Sequence, residues 1–214
     1  MNEKVSVQGY DVSSHTAAVI GCGGLGTNVA VHLAGAGIGK IWLCDFDTVQ
    51  TRNLNRQFFY TPADTGKPKC DLLAARLQRY APETAVVSVA KRITCEADLS
   101  FAKEAEIIVL AVDNIDARRI VNDFCKHKQK PLINGGVDAA FGTAYLYVPG
   151  VCADLEAAGL LQKPNRNPQS QSPVVGVIGA LEAKLAIDFF LQKTDVQGKL
   201  LCFDGLEIQA LHLK

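Results

Sequence analysis

The sequence predicts an α/β fold, a Rossmann-like doubly wound and mainly parallel sheet with antiparallel C-terminal strands. Three observations predict it. Short apolar runs alternate with helical periods along most of the chain. Gly21-Cys22-Gly23-Gly24-Leu25-Gly26 stands between the first apolar run and the first helical period. Asp204-Gly205 separates two apolar runs near the end, a hairpin signal.

The elements follow in order. Thr16 to Ile20 is a short apolar run and reads as a buried strand. Gly24 to Ala36 carries Val29, His32, Leu33 and Ala36 at helical spacing, and Gly37 and Gly39 stop it. Lys40 to Cys44 is a second strand, which completes a βαβ unit. Lys67 to Tyr80 is an amphipathic helix, with Leu73, Leu77 and Tyr80 on one face and Pro82 beyond its end. Thr84 to Val89 alternates like a strand. Glu106 to Val112 is a buried strand, Asn114 to Lys128 a helix, and Pro131 to Asn134 another strand before a glycine pair. Ala140 to Val148 suits antiparallel pairing. Lys163 to Pro173 is polar and proline-punctuated, and is expected to be a mobile loop. Val174 to Leu191 is one apolar helix, with close packing expected at Gly176 and Gly179. Leu200 to Phe203 and Leu206 to Leu213 form the closing hairpin.

Composition excludes several classes. The 214 residues suffice for a hydrophobic core without a metal or disulfide staple. Lys and Arg total 22 and so do Asp and Glu, so the neutral chain lacks the basic excess of a generic nucleic-acid binder. The seven cysteines are odd in number and scattered, with no C-x-x-C, which disfavours a zinc ribbon and a secreted disulfide framework. A reducing cytoplasm is the expected compartment. The opening residues show no signal peptide, and no apolar stretch is long enough for a membrane span.

The glycine loop points to a phosphate. Gly21, Gly23, Gly24 and Gly26 allow a tight turn and close backbone approach, and a helix N-terminus supplies free N–H groups. Asp45 follows Gly26 by nineteen residues, at the end of the second strand, where a carboxylate can accept from ribose hydroxyls. NAD, FAD and ATP all fit that pattern. Residues 51–80 add a local net charge of +4 in an otherwise neutral chain. A dinucleotide has two phosphates to neutralise; a triphosphate needs more, and cations must follow charge onto leaving pyrophosphate. Arg56 and Lys69 flank the βαβ unit and are assigned to that work, whereas Arg76 and Arg79 read as a solvated helix face. Asp113 ends a buried strand at the ligand crevice, where it can hold Mg²⁺ or cap the following helix.

Together these blocks resemble the ThiF/MoeB/HesA family, bacterial relatives of the ubiquitin-activating enzymes. The resemblance rests on the glycine loop, Asp45-Phe46-Asp47-Thr48-Val49, Asn53-Leu54-Asn55-Arg56-Gln57, Gly66-Lys67-Pro68-Lys69 and Asp113-Asn114. It implies a single ATP-binding adenylation domain, with a nucleotide core over about residues 12–135 and a carrier-binding part over about 136–214. It implies ATP and Mg²⁺ as cofactors. The partner would be a ubiquitin-like sulfur carrier, ThiS- or MoaD-like, whose C-terminal glycine carboxylate attacks the α-phosphorus. Gly24 would then lie under the phosphates and Asp45 on the ribose. Asn53, Arg56 and Gln57 would contact phosphates, Lys69 would stabilise the transferring charge, and Asp113 would hold Mg²⁺ beside Asn114. A homodimer is also implied, with neither nucleic acid nor membrane as partner.

The chain departs from the family pattern in three places. Residues 1–15 contain no arginine, and Lys4 is their lysine, whereas the family's N-terminal helix usually sends an arginine into the partner's site. Paired zinc cysteines are missing, so no zinc site is expected. Lys163 to Pro173 holds no cysteine, which leaves Cys152 as the nearest thiol for thioester chemistry, although packing is the simpler role for it and for Cys22. Two variant readings follow: a domain that adenylates a small peptide, and an ATP-binding subunit that needs an arginine-bearing partner. The fold alone also admits an NAD-dependent oxidoreductase, which has no use for the Asn-Leu-Asn-Arg-Gln and Lys-Pro-Lys blocks.

Overall fold

The computed structural model describes residues 11–162 and 170–213. Lys4 and most of the expected loop lie outside them. The strands are β1 (Thr16–Ile20), β2 (Lys40–Cys44), β3 (Ala85–Val89), β4 (Ile107–Leu110), β5 (Leu132–Asp138), β6 (Phe141–Tyr147), β7 (Lys199–Phe203) and β8 (Ile208–His212). The helices are α1 (Gly24–Gly35), α2 (Lys69–Tyr80), α3 (Ile115–His127) and α4 (Ser172–Phe190). A 3₁₀ segment, Glu96–Glu104, precedes β4; its polar sequence carries no clear period and gave no helix signal.

One eight-stranded sheet runs in the order β3-β2-β1-β4-β5-β6-β7-β8. β1 to β5 pair in parallel and β6 to β8 antiparallel, as the fold class requires. Alternation along each strand divides the core. Ala17, Val19, Ile41, Leu43, Ile107 and Val109 join the cluster built from α1, α2 and α4. Ala18, Ile20, Trp42, Cys44, Ile108 and Leu110 join the opposite one, under α3 and the 3₁₀ segment. Strands buried on both faces must read as continuous apolar runs, and these do.

Details differ from the sequence reading for physical reasons. α2 starts at Lys69, because Pro68 holds an extended backbone at the cap position. Its apolar face buries Leu73 and Leu77, while Tyr80 is exposed. β5 runs straight through Gly135-Gly136 to Asp138, because β6 supplies a ladder partner for each residue. Pro173 sits in the first turn of α4, a position that needs no N–H donor. Of the two α4 glycines only Gly179 is a close-packing site: a Cβ there would stand 2.6 Å from the Asn28 Cβ, whereas Gly176 faces open space.

The chain passes from β1 outward to β2 and β3, then returns to the other side of β1 as β4. The sheet's switch point therefore lies between β1 and β4. Crevices for ligands open there, beyond the carboxyl ends of the strands. The glycine loop leaves β1 at that point and Asp113 follows β4 on the facing side.

Candidate nucleotide-binding and transfer site

The crevice is a cleft of about 1100 Å³. Gly21, Gly23, Gly24, Asp45, Asn53, Arg56, Gln57, Lys69, Asp113 and Asn114 all line it. Gly26 is not among its lining residues. A Cβ on Gly26 would overlap the Gly21 carbonyl oxygen, so this glycine lets α1 close onto the loop. Gly21 has a φ of +101°, and a Cβ there would stand 2.6 Å from the Ala111 carbonyl oxygen. Backbone conformation and crowding both demand glycine at that turn. Gly23 occupies the cap position of α1 and has no side chain to cap with. The first N–H groups of the helix therefore face the cleft without a side-chain partner, which suits an anion.

Asp45 is tied to this loop. Its carboxylate accepts from the Cys22 N–H at 2.7 Å and from the Asp47 N–H at 2.8 Å. Burial pushes its carboxyl above the usual range, against the lowering effect of those two donors and of Lys69. The same burial, reinforced by Asp45, pushes the Cys22 thiol well up, so the glycine-loop cysteine is a packed thiol and not an activated one. Cys152 does not line the cleft; its sulfur accepts from the Val148 N–H at 3.1 Å.

The Asn53 to Tyr60 segment forms the cationic wall. Asn53 ends a short 3₁₀ turn, and its carbonyl accepts from the Arg56 and Gln57 N–H groups at 3.2 and 3.0 Å. Tyr60 anchors the segment by donating to the Cys22 carbonyl at 2.8 Å. Gln57 is buried, and its Oε1 has no hydrogen-bond partner among the described residues. A buried orphan acceptor at a cleft wall calls for a donor from a ligand or water. Lys69 is 5% exposed, with its ammonium 3.4 Å from the Asp47 carboxylate. Arg76 is not simply solvated: it pairs with the buried Asp64 at 2.6 Å. Arg79 is exposed as expected.

On the far wall the cap of α3 is Asn114. Its Oδ1 accepts from the Asp116 and Ala117 N–H groups at 2.9 and 3.2 Å. That leaves the exposed Asp113 carboxylate without capping duty. Among the charged cleft residues that escaped the sequence reading, three stand out. Asp47 was visible only as part of Asp-Phe-Asp. Arg92 stacks its guanidinium 3.6 Å from the Phe46 ring centroid, and nothing local to either residue signals the pairing. Arg118 reaches back from the first turn of α3; a cation there opposes the helix dipole, a signal that could have singled it out.

A doubly wound sheet with a glycine loop, a carboxylate at the end of its second strand and a buried lysine at its switch point defines a Rossmann-like nucleotide-binding architecture. The chain belongs to the ThiF family, whose profile matches residues 4–214. Among curated relatives, the "Adenylyltransferase and sulfurtransferase MOCS3" of Anopheles gambiae is 33% identical over 99% of this chain and 50% of its own length. The "Sulfur carrier protein ThiS adenylyltransferase" of Escherichia coli is 33% identical over 89% of this chain and 78% of its own. The chain thus spans about half the length of relatives such as the first. Among solved structures, E. coli MccB with ATP superposes with a TM-score of 0.84 at 29% identity, covering 95% of this chain and 64% of that one.

Proposed function

We propose that this chain is an ATP-dependent adenylyltransferase acting on the C-terminal glycine carboxylate of a ubiquitin-like sulfur carrier. The observation that carries the reading is the meeting, in one cleft, of an uncapped helix N-terminus, a buried lysine and an uncommitted carboxylate. The names of the curated relatives support the reaction type.

The residues present fit MgATP. Gly24 would lie under the phosphates: a Cβ there would stand 2.7 Å from Val175 Cγ1 and 3.1 Å from the Arg56 carbonyl oxygen, so only a glycine lets the loop pack this closely at the cleft wall. Asp45 keeps lone pairs for ribose hydroxyls beyond its two backbone donors. Gln57 sits beside Gly23, with Arg56 adjacent for the phosphates. Asp113 is a hard oxygen donor suited to Mg²⁺, and the bound ion would neutralise phosphate charge.

The chemistry needs no protein nucleophile. A carboxylate oxygen of the carrier forms a bond to the α-phosphorus as the bond from that phosphorus to the bridging oxygen breaks. Pyrophosphate leaves with the electron pair, and the acyl-adenylate keeps the AMP moiety. Lys69 and Arg56 act by opposing charge that grows on the phosphorus oxygens and the leaving group, in a site that is already organised. The chain's own part is orientation and electrostatics.

A second reading has a specific observation behind it. The solved neighbours include MccB with its peptide MccA, at a TM-score of 0.84. A peptide C-terminus offers the attacking group in another form. Homodimer formation and Mg²⁺ use belong to the first proposal. No described helix is long and apolar enough to cross a membrane. ATP–pyrophosphate exchange with ThiS-like carriers, short peptides and no acceptor tests the function. Carrier-dependent exchange supports it, peptide-only exchange moves the assignment to the second reading, and exchange with neither removes both.

A further inference from the structure

Arg118 links the two strand tips that floor the cleft. Its Nη1 donates to the Val112 and Gly135 carbonyl oxygens, each at 3.3 Å, and its Nη2 to the Asn134 Oδ1 at 2.5 Å. Val112 immediately precedes Asp113, and Gly135 opens the glycine pair that forms the cleft floor. Those three hydrogen-bond acceptors are all neutral; partial burial lowers the pKa of the guanidinium, and the nearby Glu182 and Asp113 carboxyl groups oppose that shift. It also stands in the first turn of α3, where the helix dipole disfavours a cation. A partly buried cation whose hydrogen bonds all go to neutral acceptors is a poor device for stability.

Glu182 braces the same strand from the other face. It is fully buried on α4, and neither carboxyl oxygen has a hydrogen-bond partner among the described residues. Its carboxyl fills the space that a Cβ on Gly135 would need. Gly135 is thus gripped at its carbonyl by Arg118 and backed at its Cα by Glu182.

We propose that Arg118 is a positioning residue, fixing the tip of β4 against β5 so that Asp113 and the Gly135–Gly136 floor face one point in the cleft. A planar fork with five N–H donors can bridge three acceptors in fixed directions; a lysine ammonium on a flexible stem cannot. The inference rests on the proposed adenylation reading for what the aligned groups do, but the alignment itself can be measured separately.

The test compares wild type with Arg118→Lys and Asn134→Ala. The readouts are melting temperature, ATP–pyrophosphate exchange, and Mn²⁺ capture by electron paramagnetic resonance with a non-hydrolysable ATP analogue. Both variants are expected to melt near wild type, with KM for MgATP rising in step with the loss of metal affinity. Mn²⁺ capture should weaken about tenfold and kcat fall about 10²-fold, as loss of alignment does. Unchanged Mn²⁺ capture in Arg118→Lys overturns the proposal, and so does a kcat loss that merely tracks the unfolded fraction. Should Arg118→Lys fail to fold, Asn134→Ala keeps the guanidinium and decides by the same readings. A wild type that captures Mn²⁺ but does not exchange removes the adenylation reading, while the Mn²⁺ comparison still decides Arg118. A wild type that captures none overturns the proposal.

Discussion

Lys69 and Asp47 meet twice: the Lys69 N–H donates to the Asp47 carbonyl at 3.0 Å, and its ammonium lies 3.4 Å from the Asp47 carboxylate. The backbone bond fixes the start of α2 against the loop after β2. The ion pair then holds a buried cation aimed along the cleft. Lys69→Ala is expected to lower carrier-dependent exchange by about 10²–10³ while circular dichroism and melting stay near wild type. Asp47→Asn, which keeps the backbone bond, should cost less. Near-normal exchange in Lys69→Ala would remove this lysine from the chemistry.

The two glycines of α4 should respond in opposite directions. Gly176→Ala enters open space in a helix interior and should stabilise by about 0.5–1 kcal/mol. Gly179→Ala drives a methyl onto the Asn28 Cβ and the Leu25 carbonyl oxygen and should destabilise by about 1–3 kcal/mol. Thermal or urea unfolding of the two variants checks the sign of each.

Much of this was legible in the sequence, and the reasons can be located. Strands buried on both faces, such as Ile107–Leu110, announce themselves as apolar runs. The glycine loop and Asp45 are separated by a fixed βαβ length, so their meeting follows from local order. Arg118 with Gly135, and Phe46 with Arg92, meet only through the sheet, at sequence separations of 17 and 46. No local period encodes such pairs. The Asp113 alternatives also needed the fold, because two adjacent residues could each cap α3 and only coordinates show Asn114 doing so.

Separating those two residues gives a further prediction. Asn114→Ala should cost about 1 kcal/mol of stability through loss of the cap. Asp113→Asn should leave stability nearly unchanged and weaken Mg²⁺-dependent exchange. Unfolding curves and a Mg²⁺ titration of exchange check the pair; a stability loss confined to Asp113→Asn would reverse the assignment.

Glu182 sets a pH dependence of stability. Burial raises its carboxyl well above the usual range, and Arg118 opposes that only in part. The folded state therefore retains a proton that the unfolded state releases near pH 4.3, about the value of a free glutamate. Its contribution is fully present below that pH and is lost as pH rises toward the folded value. Glu182→Gln should accordingly be stabilised relative to wild type, with an advantage that grows from about pH 4.3 upward. Melting curves of both proteins across that range measure the slope; an advantage that shrinks with pH would show that Glu182 is ionised in the fold.

Attack at the α-phosphorus is tested most directly by mass spectrometry of the acceptor. A ThiS-like carrier incubated with this chain and MgATP is predicted to gain one AMP moiety at its C-terminal glycine, with pyrophosphate as co-product. A carrier lacking the terminal glycine should gain nothing. An acceptor that remains unmodified, or one that gains a phosphoryl group with release of ADP, would contradict the account.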